Sequence, residues 1–486
     1  MKHNSDSPRA LAACAAVSHS FSEPALEVLW ETMEGLSPLF AILRKSVEII
    51  SGQGSIWKMT FILSAPIDDQ EWGRFVRYAQ LVRVYVNRGD NIDGLSSGAL
   101  MAKTRGEPLL PRLQDLTWVR PIKHSSSLPL FLSPNLHSLY LDLSHDLNIE
   151  RLQRGDDEQG PDYGKYAGGV TLQSVVSRAS HIQDLTVHDA TSPFSLETIG
   201  TFQHLRILKL HLVSDLLSLS SCLKPLVTLE TLTIGMKHDA IGDRLDNMPL
   251  DAAPLSLEEL RSLQLIGPPK FVVAFLDHVR SPVLQRLDIS TACDNVIWRR
   301  CMGITSSLFS NTLLSLDVWL HDTPTDTSVR KFRDLFSPLY PLRTLQKLNI
   351  KEFKQLECLI TPEDISDIAK AWPDLRFLVL PWSKPEGRAR PPMLPITALD
   401  SIARTCLSLK TLVLPLPDPS PLSDSELPSG FQYINNVTEL QLRGGKWKRK
   451  ARDQCTRYLT HIFPRLQSEG IWLDADYEAI FSWHRR

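Results

Sequence analysis

A short aliphatic pattern, L-x-x-L-x-L with L any large aliphatic, returns along most of this chain and constrains what it can fold into. It is clearest at Leu205, Leu208 and Leu210, and again at Leu229, Leu232 and Ile234. Its first positions fall at Leu81, Leu113, Leu136, Ile182, Leu205, Leu229, Leu260, Leu284, Leu313, Leu345, Leu375, Leu409 and Val437. The steps from 182 to 205, 205 to 229 and 260 to 284 are 23, 24 and 24 residues, and later steps lengthen to 28–34. The step of 46 residues from 136 to 182 reads as two units with one motif lost or looped out. A fixed period of this size is the mark of a repeat architecture.

Positions 4 and 6 of the motif alternate as on a strand, so their side chains share one face. Between motifs lie segments with helical spacing. In Pro269–Val279 the residues Phe271, Phe275, Leu276 and Val279 fall on one face, and Pro362–Ala371 and Gln70–Ala79 read as helices too. One such unit cannot bury its own apolar face, whereas stacked units bury a continuous one. The expectation is an α/β solenoid. In it Leu208, Leu232, Leu263, Leu287 and Leu348 point into the core.

Strand, turn and helix repeated about thirteen times resembles the leucine-rich repeat, over roughly residues 75–445. The Asn or Cys that this family carries at the ninth motif position is replaced by Lys237, Pro268 and Phe353, so the turns must be satisfied in another way. The long, irregular units resemble the divergent repeats of F-box proteins more than the regular receptor type.

The N-terminus supports the same direction. Leu11, Cys14, Ala15, Val17 and Ser18 make one helical stripe, and Ser20 to Pro24 reads as a break with Ser22 as N-cap. Ala25, Leu26, Leu29 and Trp30 then make a second apolar face. This resembles the second half of an F-box in the form common among fungal F-box proteins, with Val17, Phe21, Leu29 and Trp30 on the family's positions. The family's first helix, with its Leu-Pro start, has no counterpart in the ten residues before Leu11, so the segment is expected to be a degenerate or N-terminally truncated box. Lys2, Arg9 and the run ALAACAAV outline a signal peptide. However, that apolar core is only eight residues, mostly Ala, and Asn4, Ser5 and Asp6 interrupt its basic flank.

The resemblance implies the substrate-recognition subunit of an SCF-type ubiquitin ligase, in the cytoplasm or nucleus. It implies contact with the ligase's linker subunit through Leu11, Cys14, Val17, Phe21, Leu29 and Trp30. A stand-alone repeat scaffold is the alternative. The expected layout is a helical cap at 1–45, repeats over 46–445 and a basic segment with a second cap at 446–486.

Composition narrows the other classes. The 53 basic and 55 acidic residues nearly cancel, which gives no global field toward nucleic acid or membrane. No apolar run approaches the length that spans a bilayer. Seven Cys without a C-x-x-C pair read as buried free thiols of a reduced compartment. There is no H-E-x-x-H, no G-x-S-x-G and no nucleotide fingerprint, and SGQGS at 51–55 lacks the ending of a phosphate loop. We therefore expect no catalytic residues, no cofactor and no metal. His188 and His211 follow motifs of neighbouring repeats and should lie close together, as bystanders.

Three further segments read as loops or solvated faces: the polar stretch 149–169, the Pro-rich stretch 381–395 and the basic run Lys446–Arg452. On a repeat sheet the residues between core positions form columns. The fifth position reads Lys209, Thr233, Gln264, Asp288, Asp317, Asn349 and Val379. The seventh reads His211, Gly235, Ile266, Ser290, Trp319, Lys351 and Pro381. Trp319 ringed by Asp288, Asp317, Asn349 and Lys351 has the character of an interface hot spot, and these five are the candidate substrate-binding residues on the concave face.

Overall fold

The computed structural model describes residues 7–51, 59–119, 127–143, 163–189, 193–213, 216–236, 254–292, 294–321, 330–352, 358–381, 394–415, 434–443, 449–466 and 471–473. Internal packing divides the chain into two compact units, Met1–Ala240 and Ile241–Arg486. Both are α/β and repeat-like.

In the first unit, seven strands pair in chain order, all parallel: Thr32–Met33, Val84–Asn87, Asp115–Trp118, Ser138–Asp142, Asp184–His188, Ile207–Val213 and Thr231–Met236. In the second, eight do the same: Ser262–Ile266, Arg286–Ala292, Ser315–His321, Lys347–Glu352, Phe377–Val379, Thr411–Pro415, Glu439–Arg443 and Ile471–Leu473. Parallel strands need a crossover, and helices supply it. Successive helices pack side by side, as Pro269–His278 does on Asn295–Phe309 and Pro362–Ala371 on Leu399–Thr405. A smaller three-stranded sheet, Val47–Ser51, Met59–Leu63 and Asn91–Ile92, belongs to the first unit.

The motif leucines form the core. From Leu113 onward every motif position 1, 4 and 6 is buried, including Leu208, Leu232, Leu263, Leu287 and Leu348. The pairing registers set Leu263, Leu287, Leu316, Leu348, Leu378, Leu412 and Leu440 in one continuous row. The helices present matching faces. Pro362–Ala371 starts on a Thr361–Asp364 capping box with Pro362 in its first turn, and it buries Ile365, Ile368 and Ala369. Asp294 caps Asn295–Phe309 by accepting from the N–H groups of Val296 and Ile297.

In three repeats a hydroxyl in the turn before the strand donates to the previous repeat. Thr228 Oγ1 reaches the Leu205 carbonyl at 2.9 Å, Ser281 Oγ the Leu260 carbonyl at 2.7 Å, and Thr344 Oγ1 the Leu313 carbonyl at 2.9 Å. Each acceptor is the first motif residue of the repeat before.

The strands Ser138–Asp142 and Asp184–His188 pair directly, in keeping with a motif lost or looped out of the 46-residue step. Three expectations are corrected. The first motif is out by one: Val82, Tyr85 and Asn87 are buried, while Leu81 and Val84 are only half-buried. The polar stretch 149–169 is not loop to its end, because a helix begins at Tyr163. The break near the N-terminus falls at Ser18, whose extended backbone separates the helices Ser7–Val17 and His19–Glu31, and Pro24 lies inside the second. Proline removes a bond to the carbonyl four residues back, here that of Ser20, which is exposed and can turn to water.

Among the described residues, no helix is long and apolar enough to cross a membrane. Cys222, Cys406 and Cys455 are in no disulfide, and burial pushes their thiols up to about 12, so they stay protonated. Cys301 is pushed up in the same way. Cys293, residues 52–55 of the Gly-rich turn, most of 381–395 and the first residues of the basic run lie outside the described residues.

Candidate functional site

Three neighbouring strands of the second unit, Arg286–Ala292, Ser315–His321 and Lys347–Glu352, bring the candidate binding residues together. Their register aligns Asp288 with Asp317 and Asn349, and Ser290 with Trp319 and Lys351. All lie on the face opposite the buried leucines. The third position adds a column that the sequence reading left out: Arg286, Ser315 and Lys347.

Asp317 is the hub. It accepts from Asn349 Nδ2 at 2.6 Å and from Lys347 Nζ at 2.8 Å. Only 8% of Asp317 and 3% of Asn349 are exposed, so both side chains are turned into the protein. Burial is the largest influence on Asp317 and pushes its carboxyl up. The hydrogen bonds from Lys347 and Asn349 outweigh it, and the group lies below its ordinary value.

Asp288 behaves in the opposite way. Burial comes first, followed by the charge of Asp317, and together they raise its carboxyl to about 6 against the pull of Arg286 and Lys347. Asp288 Oδ1 is buried and, among the described residues, finds no donor. Two carboxyls side by side in one desolvated column hold a proton between them more readily than two charges.

Beside this pair, Lys351 Nζ sits 4.3 Å from the centre of the Trp319 ring, a cation–π contact worth about 0.5–2 kcal/mol depending on desolvation. Trp319 and Lys351 are half-buried, so part of the ring faces solvent. Ser290 Oγ and His321 Nε2 are hydrogen-bonded at 2.7 Å at the edge of the same patch.

The proposed linker contact lies in the first unit. Val17 is 77% exposed and Phe21 63%. Val28, one residue type that the sequence reading passed over, is exposed as well and lies two turns along the same helix from Phe21. Leu11 and Leu29 are half-buried, and the Cys14 side chain lies outside the described residues. Trp30 is turned inward and stacks on Tyr78 with ring centroids 4.8 Å apart. It therefore joins the helix to the body of the unit. Spacing alone would have found Val28, since Phe21 and Val28 are seven residues apart.

His188 and His211 do face each other, with ring centroids 5.9 Å apart, and His188 Nδ1 is 3.6 Å from Asp142 Oδ1. Burial, then His188 and Lys209, lower the His211 imidazole below its ordinary value. Among the described residues, no group of three or more His, Cys, Asp or Glu is placed to hold a metal ion. No family model matches the chain, and no curated protein matches it.

Proposed function

We propose that this chain is a recognition subunit that binds proteins on both sides: a ligase linker subunit at its N-terminal helices and a substrate on its repeat sheet. The reading takes its identity from the resemblance to F-box proteins with leucine-rich repeats. The observation that supports it most is the apolar surface left by Val17, Phe21 and Val28 on a helical pair beside a stack of parallel strands. Large apolar side chains left exposed on two adjoining helices suit a partner better than solvent. Chemistry in such a protein is binding alone, and ubiquitin transfer belongs to the other subunits.

Capture of the purified linker subunit tests this. The intact chain should retain it, and Val17→Asp with Phe21→Asp should weaken retention by about tenfold or more, roughly 1.4 kcal/mol. Both sites are exposed, so the melting temperature should not move. Trp30→Ala is the contrasting variant, since loss of its stack on Tyr78 should lower stability first. Absence of capture by the intact chain would end the ligase reading and leave the stand-alone scaffold.

A further inference from the structure

The charges around Trp319 are sorted by depth. The carboxyls of Asp317 and Asp288 are turned inward and tied to each other, to Lys347 and to Asn349. The cations lie outward: Arg286 is exposed, a third of the Lys347 side chain is exposed, and Lys351 rests on the indole. Arg286 and Lys347 stand at the third strand position, and Trp319 and Lys351 at the seventh. Four residues of strand span about 13 Å. Basic groups therefore bracket the patch at both ends, with the ring of Trp319 between neighbouring strands at one of them.

That spacing equals the reach of about four residues of extended peptide. A cationic ligand is disfavoured, because Lys351 already covers one face of the ring, Asp317 holds Lys347 and Asn349, and the unpartnered Asp288 Oδ1 is buried away from solvent. An anionic one meets three cations without first breaking the buried pair. We propose that this face docks an acidic, extended peptide segment, its carboxylates on Arg286, Lys347 and Lys351 and an apolar side chain against the open part of Trp319. The proposal rests on the recognition-subunit reading for its biological use, and it names the chemistry of the substrate segment.

The test uses the full chain and fluorescein-labelled acetyl pentapeptides of the form Glu-Glu-X-Glu-Glu, with X as Leu, Phe or Trp, followed by anisotropy. Saturable binding should weaken steeply as salt rises from about 50 to about 300 mM. Lys351→Glu and Trp319→Ala should each weaken it by about tenfold or more. Lys351→Gln keeps most of the stem and should fall between. The same peptides with Lys for Glu should not bind. Failure of all three acidic probes, tighter binding of a lysine probe, or equal binding by Lys351→Glu would overturn the proposal. Linker capture is a separate readout. If it persists while the peptides fail, the docking surface falls alone. If it fails while the peptides bind, the ligase reading falls and the docking surface stands.

Discussion

Leu316→Ala should destabilise the second unit by about 2–5 kcal/mol, the range for deleting a fully buried Leu side chain. Leu316 has no exposed surface, and its strand neighbours in register, Leu287 and Leu348, have none either. The cavity cannot close easily, because the backbone on both sides is pinned by parallel ladders. Damage should spread to neighbouring repeats and little further, since each repeat of such a stack touches mainly its neighbours. Limited proteolysis should therefore expose new cuts around strands 286–292, 315–321 and 347–352 before the rest of the chain yields. Val296→Ala, at an exposed residue of the adjoining helix, should change stability by no more than about 0.5 kcal/mol. An unchanged melt and cleavage pattern for Leu316→Ala would show that the row of leucines is misregistered.

Asp317→Ala should cost about 1–3 kcal/mol, because it strands the buried Asn349 amide and takes the partner from Lys347. The pH dependence around this pair has a definite sign. The folded Asp288 carboxyl is raised above its unfolded value of 3.8, so its contribution is fully present below about pH 4 and is lost as pH rises through about 6. Asp317 is lowered, so its contribution is present above 3.8 and is lost as pH falls through its folded value. Stability of the second unit should therefore decline from about pH 4 to about pH 6. Asp288→Asn, which keeps the size and supplies an N–H toward Asp317, should flatten that decline and raise stability at pH 7. Denaturant melts at pH 4, 5, 6 and 7 check it. A wild-type curve that rises over this window would show that the two carboxyls are not coupled in this way.

The repeat register was legible because period-2 alternation fixes a face wherever the alternating residues are aliphatic. It slipped at Leu81–Val86, where LVRVYV offers aliphatic residues in both phases. The deciding residue there is polar: Asn87 is buried, and its Oδ1 accepts the N–H groups of Gly89 and Asp90 at 2.9 Å. No hydrophobic count finds such a position. The strands Thr32–Met33 and Ile471–Leu473 were missed because two or three residues carry no period. They exist because a neighbouring strand offers its edge.

At the candidate site the columns were readable, and with them the meeting of Asp288, Asp317, Asn349, Trp319 and Lys351. Their burial was not. Residues on the outer side of a sheet are expected to be solvated, yet Lys347 and Asn349 fold over Asp317 and dry it. That outcome depends on side-chain reach between strands, which a one-dimensional pattern does not carry. Reading the third position along with the fifth and seventh would have brought in Arg286 and Lys347.

The hydroxyl bonds from Thr228, Ser281 and Thr344 bear on how such a chain can change over time. They fasten three repeats on the side where the chain comes in from a helix, and there the passage has one length, from Leu223 to Leu229, His278 to Leu284 and Leu339 to Leu345. On the opposite side, where the chain leaves a strand, described neighbours are joined through the backbone, as from the Leu143 N–H to the His188 carbonyl and from the Gly267 N–H to the Ser290 carbonyl. There the passage is brief from Val213 to Leu216 and long from Asp142 to Tyr163. Insertions and deletions can accumulate on the outgoing side without shifting a single leucine of the row. New loops can thus be tried against a constant scaffold, and the same side is where a reporter or affinity segment should be grafted without loss of fold.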